Sequence, residues 1–295
     1  MPDSVSVRAR IVITGAGGQV GGFLAVEAAR RGWEVSAWSR QDWDITDPAA
    51  AERIVRPGDL VINCAAFTNV DRSEAEPEAA HAVNAVGPGH VARACAAVDA
   101  RFVHISTDYV FGGGQNRPYE IGDPTNPLNS YARTKLAGEL AVLAALPGAQ
   151  VVRTSWVYTG GDGDDFVALM RRAAASDQTL DVVDDQIGSP TYVKDLVDLL
   201  LELADSDVRE PILHAANSGA ASRCEQAREV FALAGADPRR VRPVTTAQMP
   251  RPAHRPDYSA LSMLSTARAG LTPLRPWREA LAASLDEHPL KEHPL

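Results

Sequence analysis

Cysteine is scarce in this 295-residue chain. The three present, Cys64, Cys95 and Cys224, are odd in number and show no Cys-x-x-Cys spacing. That argues against a disulfide framework or a zinc site and fits buried thiols in a reducing compartment. None of the seven histidines stands in a His-Glu-x-x-His frame, so no metal ligand is assigned. His104 lies in an apolar run and reads as a core histidine. No apolar run approaches the roughly 20 residues that a membrane helix needs. The opening stretch, MPDSVSVRAR, lacks the apolar core of a signal peptide. A cytoplasmic location without a membrane partner is therefore expected. Positive charge is also short: 29 Lys and Arg against 38 Asp and Glu leave a net charge of −9. Nucleic-acid binders normally carry a basic stripe, so none is expected as a partner. A local basic pocket for phosphates stays open.

Hydrophobic residues, in contrast, make up 45% of the chain, enough for a large core in one domain or two. Short β-branched runs recur at 10–15 (RIVITG), 34–39 (EVSAWS), 59–66 (DLVINCAA), 101–107 (RFVHIST) and 149–158 (AQVVRTSWVY). Helical patterns separate them, near 20–31, over 74–98 with breaks at Pro77 and Gly87-Pro88, and over 131–146. Strands apolar on both faces and alternating with helices make a parallel sheet covered on both sides. Right-handed crossovers turn it into a doubly wound α/β, Rossmann-like fold.

Past residue 160 the rhythm loosens. DDFVALMRRAAAS is helical, QIGSPTY is a loop leading into a helix, and ILHAAN (212–217) is one more strand. Ser222 and Glu225 have capping-box spacing before a helix that runs to Gly235. Residues 236–276 are rich in proline and arginine and poor in periodicity. The expected division is a dinucleotide-binding domain over 1–160 with returning segments near 180–220. A smaller, irregular substrate lobe would occupy 161–285, and a loose tail 286–295.

TGAGGQVGG follows the first strand and opens the first helix, with Gly15, Gly18 and Gly21 in Gly-x-x-Gly-x-x-Gly spacing. Glycines let the backbone turn tightly and approach a pyrophosphate, which the helix N-terminus favours. An ordinary glycine turn is the competing account. The second strand ends in Trp38-Ser39-Arg40, without the acid that would bind the ribose of NAD. Arg40 is either a partner for the 2′-phosphate of NADPH or a solvated arginine. Asp44 could face the adenine amino group. Asp47-Pro48 reads as a helix cap followed by the first helical residue.

Tyr131 and Lys135 are four apart and share a helix face. A phenol titrates near pH 10 on its own, and a neighbouring ammonium favours the phenolate. Such a tyrosine can give a proton to an oxygen near neutral pH; taken singly, the pair reads as an interfacial tyrosine beside a solvated lysine, and its neighbours at the strand ends favour the chemical account. Ser106 and Thr107 end the fourth strand, Ala65-Ala66 end the third, and Ser155-Trp156 end the fifth. Ligands of doubly wound sheets bind outside these strand ends, so the pieces are expected to meet at one crevice. There Thr107 would hold a carbonyl oxygen while Tyr131 protonates it.

With these residues the chain resembles the extended short-chain dehydrogenase/reductase family and, within it, the dTDP-4-dehydrorhamnose reductases. TGAGGQVG, DITD, NCAAFTNVDRSE, STDYVFGG, NSYARTKLAGE, RTSWVY, DDQIGSPTYVKDL, RPDYSAL and WREAL carry the likeness, in order, over nearly the whole chain. The resemblance implies NAD(P)H-dependent reduction of the 4-keto group of a dTDP-linked 6-deoxysugar. NADPH is the expected cofactor and NADH the alternative; Mg2+ stays open, as does a homodimer. It also implies cofactor contacts at Gln19, Val20, Gly21, Asp44, Ile45, Ala65, Ala66 and Phe67, with Thr107, Tyr131 and Lys135 as the catalytic set. Thr68, Val70, Thr107, Asp108 and Trp156 would lie near the sugar. Arg251 and Arg255 are either diphosphate ligands or solvated loop arginines, and Trp156 is either a plate for the sugar or a core aromatic.

Two positions depart from the family pattern. Ala132 follows Tyr131 where glycine is common, and FGGG (111–114) replaces Phe-Asp-Gly. Asp108-Tyr109 stands where dehydratases of this fold carry Asp-Glu, which argues against dehydration. An epimerase, a related deoxysugar ketoreductase of secondary metabolism and a non-catalytic NADP-binding regulator are the remaining alternatives.

Overall fold

The computed structural model describes residues 8–161 and 163–288. Its first half runs β1 (Ile11–Thr14), α1 (Gln19–Arg30), β2 (Val35–Trp38), α2 (Pro48–Ile54), β3 (Leu60–Asn63), α3 (Arg72–Ala75), α4 (Pro77–His81), a π-helical turn (Ala82–Val86), α5 (Gly87–Val98) and β4 (Arg101–Thr107). After α6 (Ser130–Ala145) come β5 (Gln150–Thr154), β6 (Val157–Tyr158), α7 (Phe166–Ala174), β7 (Leu180–Val183), β8 (Ile187–Gly188), β9 (Thr191–Tyr192) and α8 (Val193–Asp205). The chain closes with β10 (Ile212–His214), β11 (Ala221–Ser222), α9 (Arg223–Leu233), β12 (Val241–Val244), α10 (Leu264–Arg268) and α11 (Trp277–Asp286). Six strands form a parallel sheet in the order β10-β5-β4-β3-β1-β2. This is the expected Rossmann-like α/β class.

The chain divides into two compact units. The first holds the residues up to Ser106, Ser130–Val152 and Leu203–Ile212. Here β1 and β3 are buried along their whole length, as strands covered on both faces must be. In register, Val12 stands beside Val61 and Val61 beside Phe102. That row packs under Trp43, Ile45, Ala51, Val91, Cys95 and Val142. Two residues along, the same face turns polar: Thr14 stands beside Asn63, and Asn63 beside His104. All three are fully buried. Asp47 caps α2 by accepting from the Ala49 amide at 3.0 Å, with Pro48 first in the helix, as its sequence indicates.

The helical stretch expected over 74–98 is broken into pieces. Pro88 has no N–H, so it cannot close the helical bond to the Asn84 carbonyl. The backbone widens to a π-turn at that carbonyl. It leans on α6 at Gly138, where a Cβ would lie 2.1 Å from Asn84 O.

The second unit holds Thr107–Asn129, Arg153–Glu202 and the residues from Leu213 on. It is built on short pairs, β7 with β12, β8 with β11 and β6 with β9, plus α9 packed on α7, β7 and β12. The stretch before α8, expected to be a loop, thus contributes two of these strands. The expected fifth strand also ends early. Trp156 adopts φ +46°, the left-handed region that β-strands never use, and turns Val157–Tyr158 away to pair with β9. The capping box forms in full: Ser222 Oγ accepts from the Glu225 amide at 2.9 Å, and Ser222 N donates to Glu225 Oε2 at 2.8 Å. Glu287, at the start of the expected tail, accepts from the Tyr192 hydroxyl at 3.1 Å. Residues 289–295 lie outside the described residues.

Candidate active site

In the first unit the glycine loop is a cradle that a side chain would fill. Gly15 has φ +66°, and a Cβ there would lie 2.6 Å from the Ala65 amide. A Cβ on Gly21 would lie 2.4 Å from Gly15 O. Gly18 is the N-cap of α1 and makes no side-chain cap bond. Amides at a helix start suit an anionic pyrophosphate. Gln19 is exposed and Val20 half-buried beside them. The loop is pinned to the second strand by Ala16 N donating to Trp38 O at 2.9 Å.

Arg40 is exposed, and its charge helps to hold Asp44 below the usual carboxylate range. The larger causes are the Thr46 amide and hydroxyl, which donate to Asp44 Oδ1 at 3.0 and 2.8 Å. Ile45 points into the core, so only its backbone is available to a ligand. Ala65, Ala66 and Phe67 are half-buried after β3, Thr68 is exposed and Val70 half-buried.

Asn84, which sequence reasoning passed over, ties this loop to the tyrosine helix. Its Oδ1 accepts from Phe67 N at 2.8 Å, and its Nδ2 donates to Phe67 O and to Thr134 Oγ1, each at 3.1 Å. Thr134 Oγ1 in turn donates to Tyr131 O at 2.8 Å. The helix start is held from a distance as well: Glu74 accepts from Ser130 N at 2.7 Å and from Ser130 Oγ at 2.8 Å. Pro88, four residues after Asn84, was the available signal, because it breaks the helical bond to the Asn84 carbonyl and π-turns often mark functional sites.

Tyr131 is half-buried, whereas Lys135 is only 2% exposed. Lys135 Nζ donates to Ile105 O at 2.6 Å and lies 3.4 Å from His104 Nε2. Burial pushes the Lys135 ammonium down to about 8, against the pull of Glu139 one turn further on. Ser106 is occupied structurally, donating to Glu139 Oε1 at 2.5 Å.

In the second unit, Thr107 and Asp108 come together with Ser155 and Ser259. Thr107 Oγ1 donates to Asp108 Oδ1 at 3.1 Å and accepts from Tyr109 N at 3.2 Å. Ser155 and Ser259 hydroxyls donate to Asp108 Oδ2 at 2.9 and 2.5 Å. Burial lifts Asp108 to about 6, and these three hydroxyls only partly offset it. Trp156 carries the Arg223 guanidinium 3.5 Å from its ring centroid, while Gly188 leaves no room for a side chain against the indole. Arg223 was not singled out by sequence. Arg251 is exposed, and half-buried Arg255 donates to Ala253 O at 2.7 Å. Among the described residues, no group of three or more His, Cys, Asp or Glu is arranged to hold a metal ion. No described helix is long and apolar enough to cross a membrane.

A capless glycine turn opening a parallel, helix-covered sheet, with a Tyr-x-x-x-Lys helix rooted in that sheet's polar core, defines the Rossmann-like class of extended reductase folds. Within that class the chain belongs to the RmlD substrate binding domain family, whose model matches residues 9–289. A dTDP-4-dehydrorhamnose reductase from Mycobacterium tuberculosis is 63% identical over 280 residues, which cover 94% of this chain and 92% of that one. The crystal structure of a dTDP-4-dehydrorhamnose reductase from Clostridium acetobutylicum matches with a TM-score of 0.89 and 38% identity, covering 94% of this chain and 99% of that one. The enzyme of the same name from Bacillus anthracis, in complex with NADP, matches with a TM-score of 0.90 and 35% identity over 95% and 99% of the two chains.

Proposed function

We propose that this protein is an NADPH-dependent oxidoreductase that reduces the 4-keto group of a dTDP-linked 6-deoxysugar, converting dTDP-4-dehydro-L-rhamnose to dTDP-L-rhamnose. The observation that carries the reading is the helix with half-buried Tyr131 and buried Lys135 one turn apart, in a chain 63% identical to a reductase of that name. The glycine cradle, with Gln19 and Val20 beside it, would hold the pyrophosphate, Ala65 to Phe67 would flank the nicotinamide half, and Arg40 and Asp44 the adenosine half. Bound NADPH supplies the hydride.

The protein's part is proton transfer and orientation. Tyr131 gives its phenolic proton to the ketone oxygen. The Thr107 hydrogen swings from Asp108 to the same oxygen. Lys135, protonated at pH 7, favours the phenolate that remains and holds the ribose. Thr68, Val70 and Trp156 are assigned to the sugar, and Arg251 and Arg255 to the diphosphate. Asp108 is engaged by three hydroxyls and Tyr109 follows it, which supports ketone reduction over dehydration. A cytoplasmic homodimer is the proposed state of the enzyme, open to test by sedimentation.

The test is turnover of a dTDP-4-keto-6-deoxysugar with NADPH, with the product's configuration assigned by NMR. One NADPH should be consumed per sugar; an epimerase would regenerate its cofactor. Tyr131→Phe should lower kcat by about 10²–10⁴-fold with NADPH binding kept. Undiminished activity in that variant would overturn the assignment. Tight NADPH binding without any turnover by the wild type would point to a regulatory relative.

A further inference from the structure

Lys135 is approached from inside the sheet by a row of buried polar groups that starts three strands away. The Thr14 hydroxyl donates to Asn63 Oδ1 at 2.5 Å, and the Ala65 amide donates to the same oxygen at 3.3 Å. The Ala65 amide is shared between that oxygen and Thr14 Oγ1, at 3.4 Å, and can only donate, which favours the orientation with the Asn63 oxygen toward β1. Its Nδ2 therefore faces His104 Nδ1, at 2.9 Å, and donates to it. An imidazole that accepts at Nδ1 carries its proton on Nε2 when neutral. His104 is fully buried, and burial together with the Lys135 charge holds it well below the usual histidine range, so it stays neutral. The Nε2–H end of the ring then faces Lys135 Nζ at 3.4 Å. This N–H dipole repels an ammonium and donates to a neutral amine.

We propose that His104, locked as its Nε2–H tautomer by Asn63, is a positioning residue that sets the protonation equilibrium of Lys135 and directs its remaining N–H groups outward from the sheet. The assignment rests on Lys135 being the functional lysine of the proposed reaction. The other groups acting on Lys135 are the Glu139 carboxylate on α6, which favours the charged form, and the Cys64 thiol after β3, which burial pushes up to about 12 and so keeps neutral. Tyr131 lies one turn before it on α6, and the Ile105 carbonyl on β4 takes one of its hydrogens. Glu139 is itself bonded to Ser106. The histidine dipole and the low-dielectric setting thus oppose one carboxylate, and the amine is left close to its switching point.

The chain suits a direct test because Lys135, Lys194 and Lys291 are its lysines. In full-length protein labelled with ¹³C at lysine Cε, the Lys135 signal should titrate below the usual lysine range, near pH 8; Lys194, partly exposed and paired with Glu287, supplies a second signal. His104→Phe keeps a ring but removes the dipole; it should raise the Lys135 midpoint by about one pH unit and leave Lys194 unchanged. The alkaline limb of the kcat profile should move by the same amount. A Lys135 titration unmoved in folded His104→Phe would refute the inference. Should that variant fail to fold, long-range ¹H–¹⁵N correlation of wild-type His104 decides: an Nε2–H tautomer is required, and an Nδ1–H tautomer overturns the proposal. Both NMR readouts need no cofactor or sugar, so a moved titration in an inactive protein would strike the proposed reaction and spare this inference.

Discussion

Gly138→Ala isolates the contact on which the tyrosine helix depends. Alanine normally stabilises a helix interior by about 1 kcal/mol over glycine. At Gly138 the new methyl would lie 2.1 Å from the Asn84 carbonyl oxygen, and backbone carbonyls do not fold away. Carbon–oxygen contacts are ordinarily at least about 3.3 Å, so α6 and the π-turn must separate by more than 1 Å. Overpacking of this kind costs about 1–3 kcal/mol. The shift also strains three Asn84 hydrogen bonds, to Phe67 N, Phe67 O and Thr134 Oγ1, each worth about 1 kcal/mol. Set against the propensity gain, the net loss should be about 2 kcal/mol. At about 2–4 °C per kcal/mol for a chain of this size, Tm should fall by about 4–8 °C.

Gly89→Ala is the matched control. On α5 its methyl would meet Ala141 Cβ at 3.5 Å, ordinary van der Waals contact. It should be neutral or stabilising by up to about 1 kcal/mol. Urea midpoints and thermal scans of both variants give the comparison. If Gly138→Ala proved as stable as Gly89→Ala, the close approach of the π-turn to α6 would be wrong, and with it the account of how Asn84 reaches Phe67.

Two other perturbations separate stability from chemistry. Asp108 is raised from 3.8 to about 6, so the folded protein binds a proton there that the unfolded chain releases. Its contribution is fully present below pH 3.8 and lost as pH rises to about 6; Asp108→Asn should flatten that slope in urea-midpoint measurements, and an unchanged slope would contradict the burial argument. Arg10 holds the buried Asp59 carboxylate through two bonds, at 3.0 and 2.7 Å. Arg10→Ala should cost about 3–5 kcal/mol in denaturation while kcat of the remaining folded enzyme stays unchanged.

Much of the first half was legible because its signals are local. A strand buried on both faces writes three successive apolar residues, as at Ile11 to Ile13 and Leu60 to Ile62, and a glycine turn writes its own spacing. Asp47-Pro48 and Ser222 with Glu225 formed the caps that their spacing indicated, since cap and target lie within three residues. The long fifth strand failed for a reason no local pattern carries. TSWVY is β-branched or aromatic at every position but Ser155, yet Trp156 takes a left-handed turn, packed against Gly188 and Arg223. Asn84 escaped notice because its carbonyl is exposed by Pro88 and accommodated by Gly138. His104 read as a core histidine, and it is buried; that its ring joins Asn63 to Lys135 depends on the parallel register of β3 and β4.

By itself the amino-acid sequence determined the alternation of strands and helices, the glycine turn, and the pairing of a phenol with an ammonium on one helix face. Those are properties of neighbours, set by backbone sterics and by side-chain periods of two and 3.6 residues. Only the folded chain decided which polar groups meet. Thr14, Asn63, His104 and Lys135 are strung across 121 residues of sequence (135 − 14), and Asp108 meets Ser259 across 151. Polar contacts of this kind require heavy atoms within about 3.5 Å, and for residues so far apart that proximity exists only once the sheet has assembled.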